Sequence, residues 1–274
     1  MPHPTADGPA GCGGGAVASP REQVVTLPFR RRRNLVEQEP ARHDEIGSLD
    51  LAVGIGDEWV RDIVAEVRPF TMTSAERIYG LCLAVDHVCR RGIPGAFAEC
   101  GVWRGGSAMA IALSLQRRGE TDRQLTLFDT FEGMTAPTEM DRDIAGRPAS
   151  TLLMQEDRST SAVWAQASLE EVQQNLAGTG YSRVNFVVGD VMETIPGSAP
   201  SEIALLRLDT DWYESTLHEL VHLYPRVQSG GIVIIDDYGH WSGARKAVDQ
   251  YFSSRPNQPF LCPLDYTGRL AVVP

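Results

Sequence analysis

Short unbroken apolar runs punctuate this chain, and between them apolar positions recur at helical spacing. Ala96–Cys100, Gln124–Phe128, Val184–Val188, Ile203–Leu208 and Ile232–Ile235 are brief runs bounded by Gly or Asp, which predicts strands, the last of them buried. Ala108–Gln116, Leu169–Leu176, Glu214–Gln228 and Gly243–Phe252 predict helices. In Glu214–Gln228 the apolar stripe is Leu217, Leu220, Val221 and Tyr224, and Gly230-Gly231 is expected to stop it. Two more helices are expected ahead of the first strand. One covers Glu58–Val67, and the other runs from an N-cap at Ser74 through Arg90, burying Ile78, Leu81, Val85 and Val88. Phe260–Cys262 and Leu270–Val273 read as closing strands joined by Asp265-Tyr266-Thr267-Gly268. Strand and helix alternate through five units, which predicts an α/β fold with a doubly wound, mostly parallel sheet.

In such sheets ligands bind beyond the carboxyl ends of the strands, and those ends are acidic here. Glu99 lies in the first strand. Asp129, Asp190, Asp209 with Asp211, and Asp236 with Asp237 follow the others. A right-handed crossover between Ile203–Leu208 and Ile232–Ile235 puts Asp209, Asp211, Asp236 and Asp237 at one rim. Neighbouring strands are about 4.8 Å apart, so these carboxylates repel unless a cation lies between them. Oxygen ligands without Cys or His suit a hard ion such as Mg²⁺, Mn²⁺ or Ca²⁺. The plainer alternative is that each Asp caps a helix or closes a turn.

Composition narrows the classes. A net charge of −11 argues against nucleic acid as a partner. No apolar run is long enough for a membrane span, and no signal pattern opens the chain. Cys12, Cys82, Cys89, Cys100 and Cys262 are scattered and odd in number, which suggests reduced thiols in a cytoplasmic protein. Residues 1–56 read as an N-terminal arm whose Gly-rich start is expected to be disordered; its Arg30–Arg33 run fits a solvated basic stretch. Residues 57–274 read as the main domain. Within it 131–166 is irregular and charged, the profile of a substrate lid. Glu139 and Asp143 are its candidates for meeting a hydroxylated substrate.

The turn Gly101-Val102-Trp103-Arg104-Gly105-Gly106-Ser107 is neither a dinucleotide fingerprint nor a P-loop. Its glycines let backbone approach a ligand at a helix N-terminus, although they also serve close packing. Asp129, at the end of the second strand, is placed to grip a ribose diol. A nucleoside with a carboxylate tail, S-adenosylmethionine, fits both features.

The stretches Phe97–Ser107, Phe128–Met134, Leu208–Thr216 and Asp236–Val248 resemble motifs of the macrocin O-methyltransferase family. The resemblance covers roughly residues 58–274. It implies a Rossmann-like class I methyltransferase with an N-terminal helical extension and a lid insertion, using S-adenosylmethionine and Mg²⁺ to methylate deoxysugar hydroxyls of antibiotics. Residue by residue, it implies that Glu99, Gly101, Trp103, Gly105 and Ser107 line the methionine end of the cofactor. Asp129 would meet the ribose and Asp190 the adenine, with Ser74 counted among the cofactor-binding candidates. Asp209, Asp236 and Asp237 match metal ligands, and Asp211 the general base. It also implies a homo-oligomer.

A sugar hydroxyl holds its proton far more tightly than Asp, with a pKa of about 3.9, can pull. The expected division of labour is therefore a metal that acidifies and orients the hydroxyl and Asp211 as proton acceptor. His240 is the rival base, its pKa lying nearer working pH. Trp212, Tyr213 and Trp241 are candidates for an aromatic wall, against an equal case for packing, while Arg245 and Lys246 fit a solvated helix face. A phenol or catechol acceptor is the near alternative. A two-metal phosphoester hydrolase and a Ca²⁺-dependent carbohydrate-binding module are the distant ones, and S-adenosylmethionine binding would remove both.

Overall fold

The computed structural model describes residues 57–157 and 164–274. The expected arm at 1–56, with Arg30–Arg33 and Cys12, lies outside the described residues, as does 158–163 of the expected lid. Helices α1 (Trp59–Val67) and α2 (Ala75–Arg91) come first. Ser74 caps α2 by accepting from the Arg77 amide at 3.2 Å, and Gly92, at φ 61°, ends it. There follow β1 (Ala96–Cys100), α3 (Gly106–Arg117), β2 (Leu125–Asp129), α4 (Ala149–Gln155), α5 (Leu169–Gly178), β3 (Val184–Val188) and α6 (Val191–Thr194). Then come β4 (Ile203–Leu208), α7 (Tyr213–His222), β5 (Val227–Ile235), α8 (Ser242–Ser253), β6 (Cys262–Pro263) and β7 (Arg269–Val272).

Among the described residues the strands form one sheet in the order β3-β2-β1-β4-β5-β7-β6. The first five are parallel; β7 runs antiparallel to both β5 and β6. Strand order reverses between β1 and β4, the switch point where a crevice opens. The register levels the rim. Cys100 pairs with Leu208 and Leu208 with Ile235, so Gly101, Asp209 and Asp236 emerge side by side. One sheet face packs on α1, α2, α3 and α5 through residues such as Val85, Ile111 and Leu176. The other packs on α7 and α8 through residues such as Leu220 and Val248. Each fully buried side chain of this kind contributes about 1.5–3 kcal/mol.

Three expectations change. The helix expected over 214–228 ends at His222, because Pro225 has no amide to continue it, and a 3-10 turn at Tyr224–Arg226 follows. Strand β5 therefore starts at Val227, and Gly230-Gly231, expected to stop the helix, lies inside it. Gly230 takes φ 80°, and a Cβ on Gly231 would stand 2.8 Å from the Ala204 carbonyl oxygen, where the β4–β5 register shifts. Val221 is exposed, and the buried face of α7 is Ser215, Thr216, Glu219 and Leu220. The 131–166 insertion is less irregular than expected, since it contains α4 and an Arg142–Pro148 bridge. The described cysteines are all unpaired, Cys82 and Cys100 buried and Cys262 exposed. No described helix is long and apolar enough to cross a membrane.

Candidate active site

A cavity of about 340 Å³ opens over the carboxyl ends of β1, β4 and β5. Gly101, Val102, Trp103, Ser107 and Asp129 line one part of it, and Asp209, Asp211, Asp236 and Asp237 another. Asp190 and His240 also reach it. Carboxylate oxygens of Asp209, Asp211 and Asp237 all lie within 4.8 Å of one another. Burial pushes the Asp209 carboxyl well up, and repulsion from Asp236 and Asp237 adds to that against the pull of Arg207. Burial likewise raises Asp237, helped by Asp211 and Asp236. Burial lifts Asp211 to about 7, opposed by its hydrogen bond with Asp237 and reinforced by Asp209 and Asp236. Such buried, mutually repelling oxygens fit a hard divalent cation, which would reverse each of these shifts.

Asp236 stands apart from that trio. Arg77, reaching in from α2, pairs with its Oδ2, and Arg207 Nη2 lies 2.9 Å from its Oδ1. The resemblance implied Asp236 as a ligand and Asp211 as base; the geometry puts Asp211 in the cluster and holds Asp236 between two guanidiniums. Arg77 also pairs with Asp265 at 2.9 Å. Arg207 Nη2 reaches Asp209 at 2.7 Å and its Nη1 reaches Glu99 at 2.6 Å. Glu99, Asp209, Asp236 and Asp265 thus share two guanidiniums, and neither pairs with Asp211 or Asp237.

Three expected cofactor residues do not reach the cavity lining. Glu99 is buried against Arg207, with its carboxyl raised by that burial to about 7. Ser74 donates to Asp265 Oδ2 at 2.7 Å while capping α2. Gly105 packs toward Leu176. The glycine turn is tight for protein reasons as well. Gly101 takes φ 82°, and a Cβ there would stand 2.0 Å from the Asp209 carbonyl oxygen; one on Gly106 would stand 2.6 Å from that of Phe70.

Asp129 faces the cavity but is already engaged. Its Oδ2 accepts from the Val102 amide at 2.6 Å and the Trp103 amide at 3.2 Å, its Oδ1 from Phe131 at 2.7 Å. Oδ2 is filled by its two amides, while Oδ1, with only a long 3.5 Å contact from the Thr130 hydroxyl besides Phe131, keeps room for a ribose hydroxyl. Asp190 caps α6 through the Met192 amide at 2.9 Å and still lines the cavity.

The insertion is docked on the amino ends of α7 and α8. Asp141, fully buried, accepts from the Tyr213 amide at 2.8 Å. Ala149 and Leu153 join Trp212, Trp241 and Ala244 in a small apolar cluster. Trp212 therefore serves packing, Trp241 borders the cavity, and Tyr213 turns to Gln250 at 2.8 Å. Asp143 closes a turn with Arg147 rather than facing a ligand. Lys246 sits 5.4 Å from the Tyr213 ring centroid and Arg245 5.2 Å from that of Tyr238. His240 Nδ1 lies 3.2 Å from the Tyr266 hydroxyl, and burial lowers its pKa.

A family model described as macrocin-O-methyltransferase (TylF) matches residues 56–270. The chain belongs to that family. It is 37% identical over 183 residues to the 8-demethyl-8-(2,3-dimethoxy-alpha-L-rhamnosyl)-tetracenomycin-C 4'-O-methyltransferase of Streptomyces olivaceus, covering 66% of this chain and 67% of that one. It is 33% identical over 183 residues to the mycinamicin III 3''-O-methyltransferase of Micromonospora griseorubida, covering 66% and 69%. Among solved structures, the O-methyltransferase NovP superposes with a TM-score of 0.64 at 30% identity, over 74% of this chain and 82% of that one. The protein is thus an O-methyltransferase of class I fold.

Sequence reasoning missed Arg77, Arg207, Glu219 and Tyr266 in this methyltransferase. Arg207 sits two residues before Asp209 inside an apolar strand, and a charge so placed was a legible signal. Arg77 and Tyr266 meet the rim only through tertiary contact between α2, the β6–β7 turn and β5.

Proposed function

We propose that this chain transfers a methyl group from S-adenosylmethionine to a sugar hydroxyl of a glycosylated antibiotic or its precursor, assisted by Mg²⁺ or Mn²⁺. The observation behind this reading is that one cavity joins the Gly101–Ser107 turn and Asp129 to the acid cluster. The Streptomyces olivaceus relative, named for a rhamnosyl tetracenomycin, supports the acceptor class. Asp209 and Asp237, which belong to the acid trio and match metal ligands by resemblance, would hold the ion, with Asp211 beside it. When bound, the ion supplies Lewis-acid polarisation of the acceptor hydroxyl. Ser107 and the start of α3 would meet the carboxylate tail of S-adenosylmethionine, Asp129 its ribose and Asp190 its adenine.

The chain's own part is alignment and proton transfer. Asp211 takes the hydroxyl proton on a carboxylate oxygen as the acceptor oxygen bonds to the methyl carbon and the carbon–sulfur bond breaks. Burial makes it a stronger base than an ordinary carboxylate, and a cation beside it would keep it ionised at neutral pH. Arg207 keeps its acids in place beneath the reacting atoms.

The test is transfer from labelled S-adenosylmethionine to a panel of glycosylated antibiotic intermediates and a catechol, with Mg²⁺ and with EDTA. Transfer to a sugar that EDTA abolishes supports the reading. Transfer that survives EDTA makes the acid cluster structural. Preference for the catechol moves the acceptor class.

A further inference from the structure

Glu219 is a buried acid that the reaction above does not use. It sits on the inner face of α7 at 0% exposure, against the Cys100 thiol at the end of β1. Its Oε1 accepts from the Thr210 hydroxyl at 2.9 Å, while its Oε2 has no hydrogen-bond partner. A carboxyl buried with so few partners costs stability, so it is not there for packing. Thr210 is the middle residue of the Asp209-Thr210-Asp211 turn. That turn is strained, since Asp211 takes φ 66°. Several contacts hold it: the Asp211 amide on Asp237 Oδ2 at 3.2 Å, the Trp212 amide on the Thr210 carbonyl at 2.7 Å, and the Ser215 hydroxyl on the same carbonyl at 3.3 Å. Glu219 is the side chain that grips the turn's own hydroxyl.

We propose that Glu219 is a positioning residue: through Thr210 it fixes the strained turn so that Asp209 and Asp211 converge with Asp237 on a divalent cation. This rests on the metal reading above. Burial raises the Glu219 carboxyl to about 8, against the lowering effect of the Thr210 hydrogen bond, so it is mostly protonated at neutral pH. Glutamine is then a close stand-in for it and leucine is not.

The experiment uses the full chain with Mn²⁺ alone, by calorimetry, on Thr210→Val, Glu219→Gln, Glu219→Leu and the Glu219→Leu/Thr210→Val pair. Partners behind metal ligands typically matter by 10–100-fold, so Thr210→Val and Glu219→Leu should each weaken Mn²⁺ by at least about tenfold. Glu219→Gln should match the parent, and the double variant should be no worse than either single. S-adenosylmethionine affinity should stay within about twofold, since the cofactor end of the cavity is untouched. Parent-like Mn²⁺ binding by Thr210→Val, or additive losses in the pair, overturns the inference. If the parent itself binds no Mn²⁺, the metal reading fails, and the turn is read by amide hydrogen exchange. Thr210→Val should then speed exchange at Asp211 and Trp212 and leave β1 unchanged; equal exchange overturns the positioning role by itself.

Discussion

Arg207 Nη1 donates to Glu99 Oε1 at 2.6 Å, and the two side chains are 2% and 1% exposed. The pair lies on the neighbouring strands β4 and β1, in register beneath the rim. The same guanidinium turns its other nitrogen to Asp209, Asp236 and Thr73. It is a fixed cation under the acid cluster, and it leaves the upper carboxylates free to face the cavity. Arg207→Met leaves the buried Glu99 and Asp236 and the part-exposed Asp209 without it, and breaking a buried pair costs about 3–5 kcal/mol. Urea unfolding should show a loss of that size; a loss below about 1 kcal/mol, the range of a surface pair, would mean the cluster is held by other means.

Glu99 gives this network a pH signature. Its folded pKa of about 7 lies above the ordinary carboxylate value because burial outweighs Arg207. Its contribution is therefore fully present below the unfolded pKa and lost as pH rises through about 7. Glu99→Gln removes the titration. The variant's stability should fall less than the parent's between about pH 4.5 and 7 in metal-free buffer, as followed by thermal unfolding. Parallel curves would count against a neutral Glu99.

Asp211 is the proposed base. Losing such a group costs about 10²–10⁴ in rate, and Asp211→Asn should lower kcat by that much. Its acid form is inactive, so kcat of the metal-loaded parent should rise with pH and level off, and the midpoint of the metal-free carboxyl is about 7. A bound cation lowers that midpoint. His240→Ala should cost far less, because His240 reaches the cavity beside Tyr266 rather than within the acid trio. If His240→Ala abolishes transfer while Asp211→Asn spares it, the roles are exchanged.

How far the sequence displayed this arrangement depends on which force made it. The strands at 96–100 and 203–208 were readable to the residue, because burial on both faces leaves mostly apolar runs, and the part-exposed edge strand at 184–188 was readable from its Val and Phe content. The convergence of Asp209, Asp211 and Asp237 followed from strand ends plus crossover handedness. The helix running to 228 was overextended because helical spacing continued past Pro225, which ends it. The role of Asp236 was not readable, since Arg77 reaches it from a helix 159 positions away. Glu99 and Gly105 looked like cofactor contacts in a linear motif, yet their neighbours are Arg207 and Leu176.

Asp236 and Asp237 are adjacent but should behave differently. Asp237 belongs to the trio, so Asp237→Asn should remove most Mn²⁺ affinity with a small stability change. Asp236 neutralises Arg77 and Arg207, so Asp236→Asn should chiefly cost stability, again about 3–5 kcal/mol. Ligand carboxylates must shed protons, and burial raises all three of these carboxyls, so Mn²⁺ binding to the parent should tighten as pH rises and release protons into the buffer. Calorimetry in two buffers of different ionisation enthalpy measures this. If Asp236→Asn proves the greater loss for Mn²⁺, Asp236 leaves its guanidiniums for the ion, as the resemblance implied.

Trp212 joins the insertion to the catalytic rim. Its ring meets Trp241 edge-on at 5.0 Å, and its Nε1 donates to the Thr135 carbonyl at 3.0 Å. Trp212→Ala opens a cavity worth about 3–5 kcal/mol. Trp212→Phe keeps most of the packing and loses one hydrogen bond of about 0.5–1.5 kcal/mol. The insertion also supplies Met134 and Thr135 to the cavity wall. Loosening it should therefore raise KM for the acceptor more than KM for S-adenosylmethionine, whose proposed contacts at Ser107, Asp129 and Asp190 lie outside it. Limited proteolysis should cut Trp212→Phe faster within residues 136–157 while the melting temperature falls only modestly. Unchanged cleavage together with an unchanged acceptor KM would mean that Asp141 and Ser242 alone hold the insertion in place.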